Sequence, residues 1–311
     1  MKRIHRNADD ALFYNHSVDA RPDQRGFVTH AHDWYEILYF VSGEGTYLVE
    51  STAYPLTPGC VLVMRPGEVH NLHILPDAPY ERIVVQFREQ MLLEHTAEYR
   101  PLLASFLERP LGMGNLYSPE EIDSSFVREC LERIEDTDTP ALTRLVAATM
   151  LPAILSEIYR GYQRRRKEPQ PDTRIPQTRI REILQYVNRH LYEELTLDEL
   201  CRQFYISKTQ LGRLFRAATG STAWDYILVK RLIRARQLIL SGVSITEASV
   251  CCGFRDYSTF TVPTRSATTP PPPPTGSARW WGCNAVKIAG RPPSPAGCIP
   301  LLNVRRQPHV S

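Results

Sequence analysis

Three histidines and one glutamate near the start of the chain have the types and spacing of a ligand-binding set. The pattern H-x-H-x-x-x-E-x-x-x-x-x-x-G begins at His30 and contains His32 and Glu36, and His70 lies in a later apolar segment. Side chains alternate along a strand, so His30 and His32 share one face. Imidazole and carboxylate groups suit iron, manganese, nickel or zinc, and they also make polar contacts to organic ligands. The pattern therefore indicates a metal site, an effector pocket or a set of structural histidines.

The segment around these residues has the pattern of a small β-barrel. Short alternating apolar runs extend from Gly26 to about Phe87, and turns are predicted at residues 42–45, 58–59 and 65–68. Many short strands with regular turns predict an antiparallel barrel or jelly roll. Such a barrel can hold one small ligand, and polar groups converging in an apolar cup suit a sugar-like effector. Aromatic faces are offered by Trp34, Tyr35, Tyr39, Tyr47 and Tyr80.

The histidine and glutamate pattern resembles the cupin fold, in which two motifs supply three histidines and a glutamate to a metal at the barrel centre. The second motif departs from the metal-binding pattern, because Pro66 and Gly67 are adjacent instead of separated.

Beyond Arg88 the apolar period becomes helical. Stripes over residues 126–134 and 142–154 predict helices that pack on the barrel, and Pro152 is expected to kink or restart the second helix. The proline-containing stretch 168–176 then predicts an extended linker.

Two short amphipathic helices joined by a tight turn are predicted between Leu195 and Gly220. Thr196 caps the first helix and Ser207 caps the second. This is the geometry of a helix-turn-helix, although periodicity alone also fits a plain helical hairpin with a basic face. The outward positions of the second helix, which can donate to base edges and phosphates, are Lys208, Thr209, Gln210, Arg213 and Arg216.

A longer helix over residues 224–240 leads to a second unit of the same kind. Ser244 caps its first helix, and Gly253 and Phe254 form a turn before another helix. Two hairpins joined by one stiff helix would hold two recognition helices at a fixed separation. The second set of DNA-facing positions is Arg255, Asp256, Tyr257, Ser258 and Thr259.

This spacing resembles the AraC/XylS family of bacterial transcription regulators. The matching positions are Leu195, Thr196, Leu197, Glu199, Leu200, Ser207, Leu211, Leu214, Phe215, Gly220, Arg231, Ala235, Leu238, Ile239, Leu240, Ile245, Ala248, Gly253, Phe254, Asp256, Ser258 and Phe260. The resemblance implies promoter or operator DNA as a partner, two recognition helices in successive major-groove segments, and a homodimer paired through the helices after the barrel. It also implies a small-molecule effector, RNA polymerase as a further partner, and a lean toward activation.

Sensors of this family often keep the barrel histidines while binding an organic effector without metal. We therefore predict an effector site at His30, His32, Glu36, Tyr47 and His70, with carbohydrate as the expected class of effector. No resident metal, cofactor or catalytic residue is predicted. A cupin metalloenzyme with a helical appendage is the alternative, and a sugar-binding module without regulation would leave the basic helices unexplained.

Composition supports this assignment. The net charge of +3 is uneven, because residues 177–260 hold twelve Lys and Arg against eight Asp and Glu, a balance of +4. A basic domain favours nucleic acid, although it is also an ordinary solvated surface. The seven cysteines lack zinc spacing and are expected to be thiols. We find no signal-peptide pattern and expect a cytoplasmic protein.

The family resemblance ends at Phe260. Eleven of the 25 prolines lie beyond residue 260, and no Asp or Glu follows Asp256. The change falls inside a helix that the fold needs, which favours translation in a shifted reading frame over a natural disordered tail.

The predicted fold is therefore multidomain α and β: an N-terminal cupin-like β-barrel with a helical extension, and a C-terminal all-α double helix-turn-helix. The predicted boundaries are 1–88 for the barrel, 89–167 for the helical extension, 168–176 for the linker, 177–260 for the DNA-binding domain and 261–311 for the aberrant tail.

Overall fold

The computed structural model describes residues 2–8, 11–22, 27, 29–75, 78–93, 97–167, 178–254 and 286–287. Three parts of the prediction therefore lie outside the described residues: the linker 168–176, the second DNA-facing set, Arg255–Thr259, and nearly all of the tail.

The β part of the structure consists of two sheets whose strands pair antiparallel, and all of its strands except β11 come from the N-terminal half. One sheet has the order β1-β2-β9-β4-β7-β10, and the other has the order β11-β3-β8-β5-β6. The strands are β1 (Lys2–Ala8), β2 (Leu12–Asp19), β3 (His30–Ala31), β4 (Tyr35–Ser42), β5 (Gly45–Val49), β6 (Thr52–Pro55), β7 (Val61–Met64), β8 (His70–Ile74), β9 (Tyr80–Phe87), β10 (Leu116–Tyr117) and β11 (Val286–Lys287).

Strand β4 shows how one sequence serves two apolar layers. Leu38 and Phe40 pack in the core between the two sheets, whereas Ile37 and Tyr39 pack in a second core beneath the helices. A sheet covered on both faces needs apolar residues at nearly every position. The two antiparallel sheets around this core confirm the predicted β-rich N-terminal domain.

Five strands were not predicted: β1, β2, β6, β10 and β11. In the other direction, the apolar run that begins after Gly26 was expected to form a full strand, and the structure describes only the two-residue β3 there. In β2, His16 interrupts the apolar pattern, but its ring is buried between Glu81 and Glu135, with N–O distances of 2.8 and 2.6 Å. The polar His16 ring breaks the apolar pattern by which a strand is recognised in sequence. It can be buried because Glu81 and Glu135 satisfy its hydrogen bonds.

Helices then cover the outer face of the six-stranded sheet. The helical segments are α1 (Gln90–Leu93), a 3₁₀ turn (Ala97–Leu103), α2 (Ala104–Leu107), α3 (Ser124–Glu135) and α4 (Pro140–Lys167). Asp123 caps α3 by accepting a hydrogen bond from the Phe126 amide at 3.0 Å. Pro152 lies inside α4, so the helix does not restart there. Leu151, Ile154 and Ile158 are fully buried against the barrel, and this packing offsets the backbone hydrogen bond that proline lacks.

By length and composition alone, α4 is also apolar enough to cross a membrane, with a mean hydropathy of 1.4 over its best window. The same test is passed by core helices of soluble proteins. The buried residues of α4 belong to the core that it shares with the sheet and α3. The helix therefore packs against the sheet as the sequence predicted.

The C-terminal half is helical, as predicted. It comprises α5 (Thr178–Arg189), α6 (Leu197–Gln203), α7 (Lys208–Thr219), α8 (Ala223–Leu240) and α9 (Ile245–Cys251). Thr196, Ser207 and Ser244 cap α6, α7 and α9, in agreement with the sequence. Between α6 and α7, Tyr205 has φ +50°, a left-handed conformation that makes the turn tight.

Candidate functional site

Strands β3 and β8 bring the predicted histidines together inside the barrel, with His32 directly after β3. His30 on β3 pairs in register with His70 on β8, and the Gly67 amide donates to the His32 carbonyl at 2.9 Å. Gly67 has φ +81°, which an L side chain rarely adopts, so the turn before β8 requires glycine. The rings of His30 and His70 are 4.1 Å apart between centroids, and those of His32 and His70 are 5.1 Å apart. The adjacent Pro66-Gly67 turn thus places His70 in the set.

His70 presents an unprotonated nitrogen to the cluster. Its Nδ1 donates to the Glu68 carbonyl at 2.8 Å, which leaves Nε2 as the acceptor nitrogen. Burial lowers the pKa of His70 from 6.5 to about 4, although the Glu36 charge acts in the opposite direction. Nε2 of His70 is buried and has no hydrogen-bond partner among the described residues. A buried acceptor of this kind is costly unless a ligand completes it.

His32 and Glu36 form a buried ion pair beside this acceptor. His32 Nε2 is 2.8 Å from Glu36 Oε2, and its Nδ1 is 3.1 Å from the Trp34 carbonyl. Both ring nitrogens of His32 face acceptor oxygens, so binding a metal ion would require His32 to give up one of these hydrogen bonds. Gln86 also donates to Glu36 Oε2 at 2.6 Å. Burial alone would raise the pKa of Glu36, but the hydrogen bond and charge of His32 outweigh it and lower the pKa to about 2.

The donor set fits a divalent metal through its histidines. One ring nitrogen from each of His30, His32 and His70 lies within 4.8 Å of the others, and all three residues are buried. Imidazole suits zinc, iron, copper and nickel. Glu36 is not in this group of three, and its Oε2 bonds His32 and Gln86. These three residues would hold the ion, and the buried site would exclude water from it.

A buried ion-pair network, which the sequence analysis did not include, supports the turn before His70. Glu68 is fully buried and accepts two hydrogen bonds from Arg109, at 2.7 and 2.6 Å. The amide of Asn115 donates to the same carboxylate at 3.0 Å. Burial alone would raise the pKa of Glu68, but the Arg109 charge and hydrogen bonds lower it to about 2. Gln86, which contacts Glu36, was also missing from the predicted site. The sequence offered a signal for it, because it is a polar residue at an inward position of an apolar strand.

The predicted aromatic residues divide between the two faces. Tyr47 lies inside the barrel, 5.9 Å from His70 between ring centroids and nearly parallel to it. Tyr80 also belongs to the core between the sheets, whereas Tyr35 and Tyr39 pack under the helices. Tyr47 is therefore the tyrosine that contacts the histidine cluster.

Helix α7 presents the predicted DNA-facing side chains to solvent. Its buried face is formed by Leu211, Phe215 and Ala218, which pack against the other helices. Lys208 makes an exposed ion pair with Asp198 at 2.8 Å. All five predicted positions of this helix are exposed: Lys208, Thr209, Gln210, Arg213 and Arg216.

The second helix-turn-helix is described up to Phe254. Its described core contains Leu232, Ala235 and Cys252, with Phe254 partly buried against them. Ile245 and Val250 of α9 are 48% and 67% exposed.

Comparison with known proteins identifies the class of this chain. The family model of the AraC-like ligand binding domain matches residues 17–178, and a helix-turn-helix domain model matches residues 200–272. The first match alone spans more than half of the 311 residues. The chain belongs to the AraC family: it is a DNA-binding transcriptional regulator with an N-terminal ligand-binding domain, and not an enzyme.

Relatives agree with this class. The chain is 24% identical over 256 residues to the uncharacterized HTH-type transcriptional regulator YfiF of Bacillus subtilis, covering 81% of this chain and 80% of that protein. It is 26% identical over 253 residues to the HTH-type transcriptional activator RhaS of Yersinia pestis, covering 78% and 87%. Among solved structures, ToxT of Vibrio cholerae is similar at 14% identity and a TM-score of 0.34, covering 81% and 92%. The AraC-like activator CuxR is similar at 15% identity and a TM-score of 0.34, covering 78% and 82%.

Proposed function

We propose that this regulator binds a small polar effector of the carbohydrate class inside the barrel. The contacting residues are His30, His32, Glu36, Tyr47 and His70. The observation that carries the proposal is the buried Nε2 of His70, an acceptor without a partner among the described residues, next to an ionised carboxylate. Hydroxyl groups donate to acceptors of both kinds, and the Tyr47 ring offers a flat apolar surface beside them.

The test is a thermal-shift screen of the full-length protein against sugars and other small polar metabolites. His73 offers a matched control, because it lies on the same strand as His70 but is exposed on the opposite face. A true effector should raise the melting temperature of the native protein and of His73→Ala, but not of His70→Ala. A compound that stabilises His70→Ala equally well would contradict the proposed site.

A divalent metal is the second candidate, because the three histidine nitrogens lie within 4.8 Å of one another. Elemental analysis of untagged protein decides between the two. About one zinc, iron or nickel per chain that is lost in His70→Ala would favour the metal. Metal-free protein that still binds an organic compound would favour the effector.

We further propose a cytoplasmic homodimer that binds paired half-sites in a promoter and contacts RNA polymerase. The activator RhaS among its relatives supports a role in activation. Leu142 and Leu145 support α4 as the pairing surface, since both are exposed on the helix that covers the barrel. Sedimentation should give twice the chain mass, and Leu145→Glu should reduce it to a single chain. An unchanged mass in that variant would exclude this surface.

A further inference from the structure

The strand segments that carry the histidines have a second face, which points away from the barrel interior. Ala31 lies between His30 and His32, and Val69 precedes His70. Both are buried, and both belong to the apolar core of the DNA-binding helices instead of the barrel core. Because side chains alternate along a strand, each segment contributes to the histidine site on one face and to the core of the DNA-binding helices on the other. A single layer of strand therefore separates the candidate effector site from the DNA-binding domain.

A buried carboxylate on this second face holds helix α8. Glu50 lies in the hairpin turn between β5 and β6 with φ +56°, and it is only 3% exposed. Its Oε2 accepts from the Tyr226 hydroxyl, and its Oε1 accepts from Lys230 Nζ at 2.8 Å. Oε1 also accepts from the Val69 amide at 2.9 Å. Donors from both domains thus converge on one carboxylate.

A second buried carboxylate holds the same helix further along. Asp33 Oδ1 accepts from Arg236 Nη1 at 3.1 Å, and its Oδ2 accepts from Arg88 Nη1 at 3.0 Å. Asp33 follows His32 directly in sequence. A displacement of His32 therefore also displaces Asp33, which bonds Arg236 of α8.

The last turn of α7 meets the same surface. Gly220 has φ +69°, and a Cβ atom there would lie 2.2 Å from Thr29 Oγ1, next to His30. The close approach is open only to glycine at this position. The contact extends the docked surface from α8 to the end of the recognition helix.

We propose that Glu50 and Asp33 form an interdomain clamp that reports occupancy of the histidine site to α8. The clamp consists of Glu50 with Tyr226 and Lys230, and of Asp33 with Arg236. This inference rests on the proposed effector site and names its route of regulation. Val49, next to Glu50, pairs in register with His70. A ligand that moves His32 or His70 thus moves one carboxylate of the clamp, and α8 joins the two halves of the DNA-binding domain.

The clamp is tested by hydrogen–deuterium exchange of the full-length protein. The variants are Glu50→Gln, Lys230→Met and the double variant, with Glu129→Gln as a control that breaks an exposed ion pair with Arg133. Each single change leaves a buried group without its charged partner, and the double change removes both. We expect exchange in residues 223–236 to rise about tenfold or more in each single variant. In the double variant, the rise in exchange should be smaller than the sum of the rises in the two single variants. The exchange of Glu129→Gln should match that of the native protein. Changes confined to residues 49–52 would overturn the clamp.

The regulatory part is tested by DNA affinity. Fluorescence anisotropy on the DNA upstream of its own gene should show that Glu50→Gln alters the dissociation constant by about fivefold or more. An unchanged constant would overturn the role of the clamp in regulation. Neither measurement contains an effector, so a barrel that binds no organic compound would refute the proposed function and leave the domain contact standing.

Discussion

At the scale of single residues, the sensor contains buried carboxylates beside its apolar cores. Glu36, Glu50, Glu68 and Asp33 are all buried, and each accepts hydrogen bonds from cationic or amide donors. Buried charges are costly unless their partners are in place, so such residues fix a geometry. Here they fix the strands and turns that carry the histidines.

Arg109 gives the clearest stability prediction. Arg109→Met removes the bidentate ion pair and leaves the Glu68 charge buried without it. The free energy of unfolding should fall by about 3 to 5 kcal/mol. Thermal unfolding followed by circular dichroism should show the loss. The same substitution at Arg133, whose ion pair is exposed, should leave the melting temperature unchanged. A small effect at Arg109 would mean that the network does not support the turn.

Arg213 and Arg216 give a prediction about DNA. Each Arg→Ala change on exposed α7 should weaken binding to the operator by about 1 to 3 kcal/mol, because a contact to a base edge or phosphate is lost. Arg133→Ala removes the same charge from the sensor and should have no effect. Fluorescence anisotropy over a range of salt concentrations distinguishes the contacts, since a lost phosphate contact reduces the salt slope by about one. Equal affinities in all three variants would exclude α7 as the recognition helix.

At the scale of elements, the sequence predicted helices better than strands. Caps at Thr196, Ser207 and Ser244 are local signals, and the structure contains each of them. Strand β2 was not predictable in this way, because Glu81 and Glu135 lie far away in sequence from His16. The grouping of His70 with His30 and His32 was expected from the resemblance to the cupin fold. No sequence pattern connected Glu68 with Arg109, whose contact is visible only in the structure.

The capping box of α6 provides a prediction at this scale. The Thr196 hydroxyl oxygen accepts from the Glu199 amide, and the Glu199 carboxylate accepts from the Thr196 amide. Thr196→Ala should therefore destabilise the DNA-binding domain by about 1 kcal/mol. Thr209→Ala on α7 should instead weaken DNA binding and leave stability nearly unchanged. Denaturant titrations and anisotropy on both variants separate the two roles, and identical profiles would refute the assignment.

At the scale of the whole molecule, effector and DNA should be linked through one free energy. A coupling of about 1 to 3 kcal/mol implies that each ligand changes the affinity of the other by one common factor. Calorimetric titration of an effector from the screen, with and without operator DNA, measures how DNA changes the affinity for effector. Anisotropy with and without effector measures how the effector changes the affinity for DNA, and the two factors should be equal. Affinities that do not respond to the other ligand would exclude allosteric control.

The second helix-turn-helix leads to a prediction about the complete chain. Ile245 and Val250 of α9 are exposed, and leaving two such side chains half exposed forfeits about 2 to 3 kcal/mol of burial. We expect the chain to bind its operator weakly, with a shallow salt dependence. A version whose reading frame is restored after Phe260 should bind more tightly and with a steeper salt slope. Equal binding by both versions would show that residues 261–311 are a functional tail.

The exposure of α7 in the docked arrangement has a kinetic consequence. The clamp holds α8, and Gly220 at the end of α7 lies against Thr29, while Lys208, Arg213 and Arg216 are exposed to solvent. Cationic groups in solvent are what attracts a protein to DNA before any specific contact forms, and this attraction sets the association rate. We therefore expect the regulator to associate with nonspecific DNA whether or not its barrel is filled. Release of the clamp should leave the association rate nearly constant and change the residence time on the operator.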